Sequence, residues 1–206
     1  MKKLIAFALL ALPLAALAGL DEEVRTLQDD WAQIKYQRPA AEQEKAFAEL
    51  ARSADAVRAR YPGRAEPQIW YGIIVASHAG ARGGLGALSL VKEAKKALEL
   101  ALENDARALD GSAYTSLGSL YYQVPGWPIG FGSDDKAREL LQKALAINPD
   151  GIDPNYFLGD FLYRKGDYAA AREALQKALK APPRPERALA DQGRRKEIES
   201  LLAAMR

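Results

Sequence analysis

Apolar and small residues recur three and four positions apart between residues 154 and 164. This spacing predicts an α-helix with Leu158, Gly159 and Leu162 on one stripe. The Lys-Gly-Asp sequence at 165–167 ends the pattern, because glycine favours a helix C-terminus and aspartate suits the start of the next helix. A second apolar stripe follows until a Pro-Pro pair stops it. The segment is therefore predicted to be a helix–turn–helix unit.

The same order of residues occurs twice in the second half of the chain. The matching positions are Leu117, Gly118, Tyr121, Ala137, Leu141, Ala144 and Pro149, then Leu158, Gly159, Leu162, Ala171, Leu175, Ala178 and Pro183. This order resembles the tetratricopeptide repeat, a helix–turn–helix unit of roughly 34 residues. One such pair cannot bury its apolar face alone, so neighbouring units must stack. The predicted fold class is all-α: a tetratricopeptide-repeat helical solenoid of antiparallel helix pairs with a C-terminal capping helix.

The repeat becomes weaker toward the N-terminus. Trp70 and Gly72 on a first helix, with Leu98 on a second, indicate a more degenerate unit, and Trp31 indicates a weaker one. The predicted organisation is a cleaved signal peptide at 1–18 and a single domain at 19–206, divided into a degenerate unit at about 29–62, units at about 65–106, 111–151 and 152–183, and a capping helix at 186–206.

The first eighteen residues have the order of a secretory signal. Lys2 and Lys3 precede an apolar run, and Ala16 and Ala18 are the small residues that a signal peptidase requires. A retained membrane helix is the alternative, but the apolar run is shorter than the roughly 20 residues that a bilayer span needs. The chain has no cysteine, so we expect no lipoprotein anchor. The expected location is the periplasm, with secretion outward as the alternative and no stable membrane anchor after cleavage.

Charge and composition argue against a nucleic-acid partner and against a metal site. The chain has 29 basic and 27 acidic residues, and loss of Lys2 and Lys3 leaves 27 (29 minus 2) of each sign. A nucleic-acid partner usually requires a basic excess, so none is expected. With a single histidine, His78, and no cysteine, no two-histidine or thiolate metal site is expected in a monomer. We predict no metal and no cofactor.

Candidate catalytic groups have simpler structural explanations. His78 lies near the predicted end of a helix, where histidine interacts with terminal carbonyl groups. Asp134 and Asp135 precede a predicted helix, where capping and the helix dipole account for them. The glycines at 80–86 follow no strand and precede no Gly-Lys-Ser/Thr, so a turn is predicted there instead of a phosphate loop. The sequence therefore predicts a protein that is not an enzyme.

Two groups of residues are candidate binding sites. First helices of stacked repeats are expected to line a concave groove that binds a peptide segment or helix of a protein partner; packing between helices is the alternative role of these side chains. The groove candidates are Thr115, Ser119, Tyr122, Gln123, Tyr156, Asp160, Tyr163 and Arg164. The second group is Trp127, Ile129 and Phe131 in a Pro/Gly-rich insertion, which either folds back on the solenoid or docks a partner.

A more specific resemblance is to the T-component family of tripartite ATP-independent periplasmic (TRAP) transporters. The segments that carry it are 83–88, 91–94, 117–122, 125–132 and 148–151. The resemblance implies a periplasmic protein that partners a substrate-binding protein and helps to transfer a small apolar ligand. Two functional hypotheses follow: an adaptor with an open polar groove and no chemistry of its own, and a transporter accessory with an enclosed apolar cavity.

Overall fold

The computed structural model describes residues 12–205, with side chains from Gly19 onward. The predicted signal peptide at 1–18 thus lies largely outside the described residues. The described helices are α1 (Leu12–Gln37), α2 (Ala40–Arg60), α3 (Ala65–Arg82), α4 (Ala87–Asp105), α5 (Ala108–Gln123), α6 (Asp134–Ile147), α7 (Ile152–Arg164), α8 (Tyr168–Leu179) and α9 (Ala188–Ala204), with a short 3-10 helix at Pro185–Arg187. This confirms the predicted all-α fold.

Three glycines set the distance between paired helices. Gly72 on α3, Gly118 on α5 and Gly159 on α7 each face one leucine of the following helix. A Cβ on them would lie 2.7 Å from Leu98 Cγ, 3.0 Å from Leu141 Cγ and 2.6 Å from Leu175 Cγ, respectively. All three leucines are fully buried. The glycines of the repeat pattern are therefore needed for close helix packing.

Replacing Gly159 with valine is expected to lower the free energy of unfolding by about 1–3 kcal/mol, since the added side chain overpacks a filled interface. The matched control is Gly80→Val, because a Cβ at Gly80 meets nothing within 4 Å. Urea denaturation followed by circular dichroism measures both. Equal losses in the two variants would contradict this account of the glycine.

The helices form two layers. The first helices of successive pairs, α1, α3, α5 and α7, contact each other in order and make the inner layer. Their partners α2, α4, α6 and α8 pack outside them. Helix α9 packs on α7 and α8 as a cap, with Ile198 fully buried, and it also contacts α1. The solenoid therefore closes on itself, because its last helix returns to its first.

The contact between α1 and α9 depends on a glycine. The ring of Tyr36 lies against Gly193 so closely that a Cβ there would be 2.5 Å from Tyr36 Cγ. The Tyr36 hydroxyl donates a hydrogen bond to Glu197 Oε2 (3.4 Å), and Lys35 Nζ lies 3.5 Å from Glu197 Oε1. Any larger residue at 193 would push the two helices apart. None of the helices described over residues 12–205 is long and apolar enough to cross a membrane.

Candidate protein-binding cleft

A cleft of about 630 Å³ lies between α1, α7 and α9, where the last helix meets the first, and it is open to solvent. Polar and apolar surface contribute about equally to its walls, and Leu189 and Leu201 belong to the apolar part. The lining includes Lys35 and Tyr36 from α1, Tyr156, Asp160 and Arg164 from α7, and Gln192, Lys196, Glu197 and Ser200 from α9. Three of the predicted groove residues therefore line this cleft.

Three predicted residues form a hydrogen-bonded group at one wall, where Asp160 and Arg164 line the cleft and Tyr122 lies behind them. The hydroxyl of Tyr122 on α5 donates to Asp160 Oδ2 (2.7 Å), and Arg164 Nε donates to both oxygens of Asp160 (3.2 and 3.1 Å). Asp160 is buried, whereas the Arg164 side chain is half exposed. Burial and the neighbouring Asp160 carboxylate hold the pKa of Tyr122 well above its usual range. Tyr122 thus fixes the carboxylate instead of offering its hydroxyl to a ligand.

The remaining predicted groove residues lie elsewhere. Thr115 is only 4 % exposed, so it is inaccessible to a partner. The Ser119 hydroxyl donates to the Ser116 carbonyl (2.8 Å). Gln123 donates to the Tyr122 hydroxyl (3.3 Å). Tyr163 packs against the Tyr168 ring, with centroids 5.6 Å apart. Consecutive turns of α5 and α7 contact different neighbouring helices. The eight predicted groove residues therefore do not form one surface, and they lie in the cleft, between helices and at the protein surface.

An ion network holds α9 beside the cleft. Asp153 on α7 accepts hydrogen bonds from Arg184 Nη1 (2.9 Å) and Arg194 Nε (3.0 Å). Arg184 also pairs with Asp191, and Arg194 Nη1 donates to Glu197 Oε2 (2.6 Å). The positive charges of the two arginines lower the pKa of Asp153 despite its burial. The network ties the start of α7 to α9.

Arg194 packs against Tyr156, a residue of the cleft wall, on the side away from the cleft. Its guanidinium carbon lies 4.2 Å from the ring centroid of Tyr156 and 4.8 Å from that of Phe157. Burial raises the pKa of Tyr156 to about 12, so this hydroxyl stays neutral at physiological pH. Stacking on the cation fixes the Tyr156 ring as a rigid part of the cleft.

The residues that α1 and α9 contribute to the cleft were not predicted from the sequence. Lys35, Tyr36, Lys196 and Glu197 belong to the first and last helices, outside the well-defined repeats. Nothing in the repeat spacing says that these helices meet. The available signal was Gly193, a helix-breaking residue within an otherwise charged helical pattern, which is typical of close backbone approach.

The insertion between α5 and α6 is a hydrogen-bonded loop. Of its three predicted residues, one packs on the solenoid and two are exposed. The Gly132 N–H donates to the Pro125 carbonyl (2.9 Å), and the Ser133 N–H to the Tyr121 carbonyl (2.8 Å). Phe131 folds back onto Tyr121 in an edge-to-face contact with centroids 5.3 Å apart. The other two members of the group point outward: Trp127 is 90 % exposed and Ile129 is 57 % exposed.

Two substitutions compare how much the packed and the exposed aromatic residues of this loop contribute to stability. Phe131→Ala is expected to lower the free energy of unfolding by about 1–2 kcal/mol, because it removes an aromatic contact and partly buried area. Trp127→Ser is expected to change it by less than about 0.5 kcal/mol. Chemical denaturation of both variants provides the test. A larger loss for Trp127→Ser than for Phe131→Ala would contradict the observed loop.

The structure also shows the surroundings of the three candidate catalytic residues, His78, Asp134 and Asp135. His78 on α3 is buried, and burial lowers its pKa. Asp134 and Asp135 lie in the first turn of α6, whose N-cap is Ser133; its hydroxyl accepts from Lys136 N (3.3 Å). Asp134 also pairs with Lys165. Over the described part of the chain, the histidine and acidic residues form no group of three that could hold a metal ion.

Part of the sequence and the fold are similar to those of known proteins. The sequence profile of the tetratricopeptide-repeat family matches residues 132–194. The crystal structure of TTC0263, a thermophilic TPR protein in Thermus thermophilus, is similar with a TM-score of 0.58 and 19 % identity, over 93 % of this chain and 95 % of that one. The crystal structure of MamA has a TM-score of 0.46 and 21 % identity, over 78 % of this chain and 87 % of that one. A search of curated proteins finds no match.

The profile match includes α6, α7 and α8, where the repeat residues are clearest. The fold similarity extends over nearly the whole chain, including the degenerate N-terminal helices. Residues 132–194 therefore match the tetratricopeptide-repeat family, and the described residues of the chain fold as a helical solenoid of the tetratricopeptide-repeat type.

Proposed function

We propose that this protein is an interaction scaffold that binds a segment of another protein in the cleft between α1, α7 and α9 and performs no chemistry of its own. The observation that carries the proposal is the cleft itself: it is open, about 630 Å³ in volume and built from α9 together with α1 and α7, both of which α9 contacts. Fixed side chains reduce the entropy lost on binding.

The lining of the cleft favours the adaptor over the transporter accessory. Asp160, Arg164, Lys196 and Glu197 place charge on its walls. A small apolar ligand would require an enclosed and mostly apolar cavity. The resemblance to the T-component family, and with it a substrate-binding protein as partner, therefore stays a hypothesis with less support than the general adaptor.

The proposed location is the periplasm, reached by removal of residues 1–18. The support is the charged, apolar and small-residue order of that segment. Fractionation of cells of the source organism, followed by N-terminal sequencing of the mature protein, tests this. A mature protein that begins at Gly19 in the periplasmic fraction is expected; an intact N-terminus would contradict it.

Photo-crosslinking in intact cells tests the proposed binding site. A photoreactive amino acid is placed at Tyr156 or at Gln192, on opposite walls of the cleft, and at Lys177 on the outer helix α8 as a control. The proposal predicts that both cleft positions capture the same protein and that Lys177 does not. Equal capture from Lys177, or none from the cleft positions, would overturn it.

A further inference from the structure

We infer that the segment bound in the cleft is acidic, so that Asp or Glu side chains of the partner pair with Arg164 and Lys196. This inference rests on the proposed function, since it names the chemistry of the partner at the same site. The acidic groups on the cleft walls are neutralised within the protein, whereas two of the basic groups still have unused hydrogen-bond donors.

Both carboxylates that line the cleft are already satisfied. Asp160 accepts from the Tyr122 hydroxyl and from Arg164 Nε. Glu197 accepts from Arg194 Nη1 (2.6 Å) and Tyr36 (3.4 Å), and its other oxygen lies 3.5 Å from Lys35 Nζ. A basic partner would have to displace one of these internal donors, which would leave a partly buried cation of this protein unpaired.

The cations of the cleft have unused donors. The Arg164 side chain is half exposed, and its hydrogen bonds leave from Nε, so both Nη groups stay available within the described part of the chain. Lys196 on α9 is exposed and has no carboxylate within 4 Å among the described residues. A guanidinium with two available nitrogens can bind a carboxylate through paired hydrogen bonds.

The neutral lining suits a peptide backbone. Gln192 on α9 provides an amide beside the two cations, and Tyr156 provides a fixed aromatic face. The Ser200 hydroxyl donates to the Lys196 carbonyl (2.8 Å), so only its oxygen is left to accept a hydrogen bond. A nucleic acid is a poorer match, because the whole chain has a formal charge of only +2. These features together describe a site for a short acidic protein segment.

Selection from a phage library of random dodecapeptides against the immobilised full-length protein tests the inference. The selected peptides are expected to be enriched in Asp and Glu relative to the input library. Gln192→Trp should abolish their binding, because the indole would occupy space in the cleft that a bound segment needs. Arg164→Gln combined with Lys196→Gln should weaken the best synthetic peptide about tenfold. Raising NaCl from about 50 to about 500 mM should weaken it several-fold.

The matched control removes two positive charges from the outer face. Lys177→Gln combined with Lys180→Gln should leave the affinity unchanged within about twofold, since both residues lie on or next to α8, away from the cleft. Thermal melts of all variants exclude unfolding as a cause. An equal loss in the control variant would overturn the inference.

The remaining outcomes separate the inference from the proposed function. Peptides that Gln192→Trp excludes, but that show no enrichment in Asp and Glu, would overturn the acidic partner and leave the binding cleft supported. If Gln192→Trp excluded none of the selected peptides, the proposed function would fail together with the inference.

Discussion

Replacing Phe161 with alanine is expected to lower the free energy of unfolding by about 3–5 kcal/mol. Phe161 is fully buried on α7, where its ring lies 5.5 Å from that of Tyr122 on α5 and 5.2 Å from the guanidinium of Arg138 on α6. The substitution leaves a cavity where three helices of successive pairs meet. Urea denaturation at pH 7, monitored by circular dichroism, measures the loss.

Tyr163→Ala is the matched control for this substitution. Tyr163 lies on the same helix, is only partly buried and packs on Tyr168 at the surface. Its removal should cost less than half as much as removal of Phe161. A loss below about 1 kcal/mol for Phe161→Ala would mean that α7 is not packed on its neighbours as described.

Replacing Asp153 with asparagine is expected to lower the free energy of unfolding by about 2–3 kcal/mol at pH 7, because it removes the carboxylate shared by Arg184 and Arg194. The pKa of Asp153 is lower in the folded protein than its ordinary value of 3.8. The carboxylate therefore contributes its full stabilisation above about pH 4, and this stabilisation is lost as the pH falls toward the folded-state pKa.

Denaturation curves of the wild type and Asp153→Asn at pH 7 and at pH 3 test both parts of this prediction. The difference between the two proteins should be largest at pH 7 and smaller at pH 3. Asp150→Asn is the control, since Asp150 is 79 % exposed and its pair with Lys177 lies at the surface; its effect should stay below about 0.5 kcal/mol at both pH values. A difference that grows on acidification would contradict the assigned role of Asp153.

The repeated part of the fold could be predicted because its signal is local. Gly118 and Gly159 recur with the same apolar neighbours, and in the structure each faces one buried leucine of the next helix. Helix periodicity and glycine packing are properties of short segments. For the same reason, the sequence could place Tyr156, Asp160 and Arg164 on the first helix of the clearest repeat.

The cleft as a whole could not be predicted, because it depends on how much the solenoid curves. Repeat spacing does not say whether Tyr36 near the end of α1 reaches Gly193 in α9, 157 positions later (193 minus 36). Likewise, the burial of Thr115 depends on the angle between neighbouring helices. Small rotations for each repeat add up along a solenoid, so closure is a property of the assembled chain.

The return of α9 to α1 builds the cleft on which the proposed function depends. A Cβ at Gly193 would be 2.5 Å from Tyr36 Cγ, and that atom is one bond of about 1.5 Å from Tyr36 Cβ, so the two Cβ atoms lie within about 4 Å. Disulfides join Cβ atoms about 3.5–4.5 Å apart. Because the chain has no cysteine, an introduced pair has no competing thiol.

The most direct measurement is therefore oxidation of the double variant Tyr36→Cys and Gly193→Cys, followed by intact-mass analysis and a non-reducing gel. We expect an intrachain disulfide in the monomer, formed faster than in the control pair Tyr36→Cys and Gln192→Cys. Free thiols after oxidation, or crosslinks only between chains, would contradict the closed solenoid.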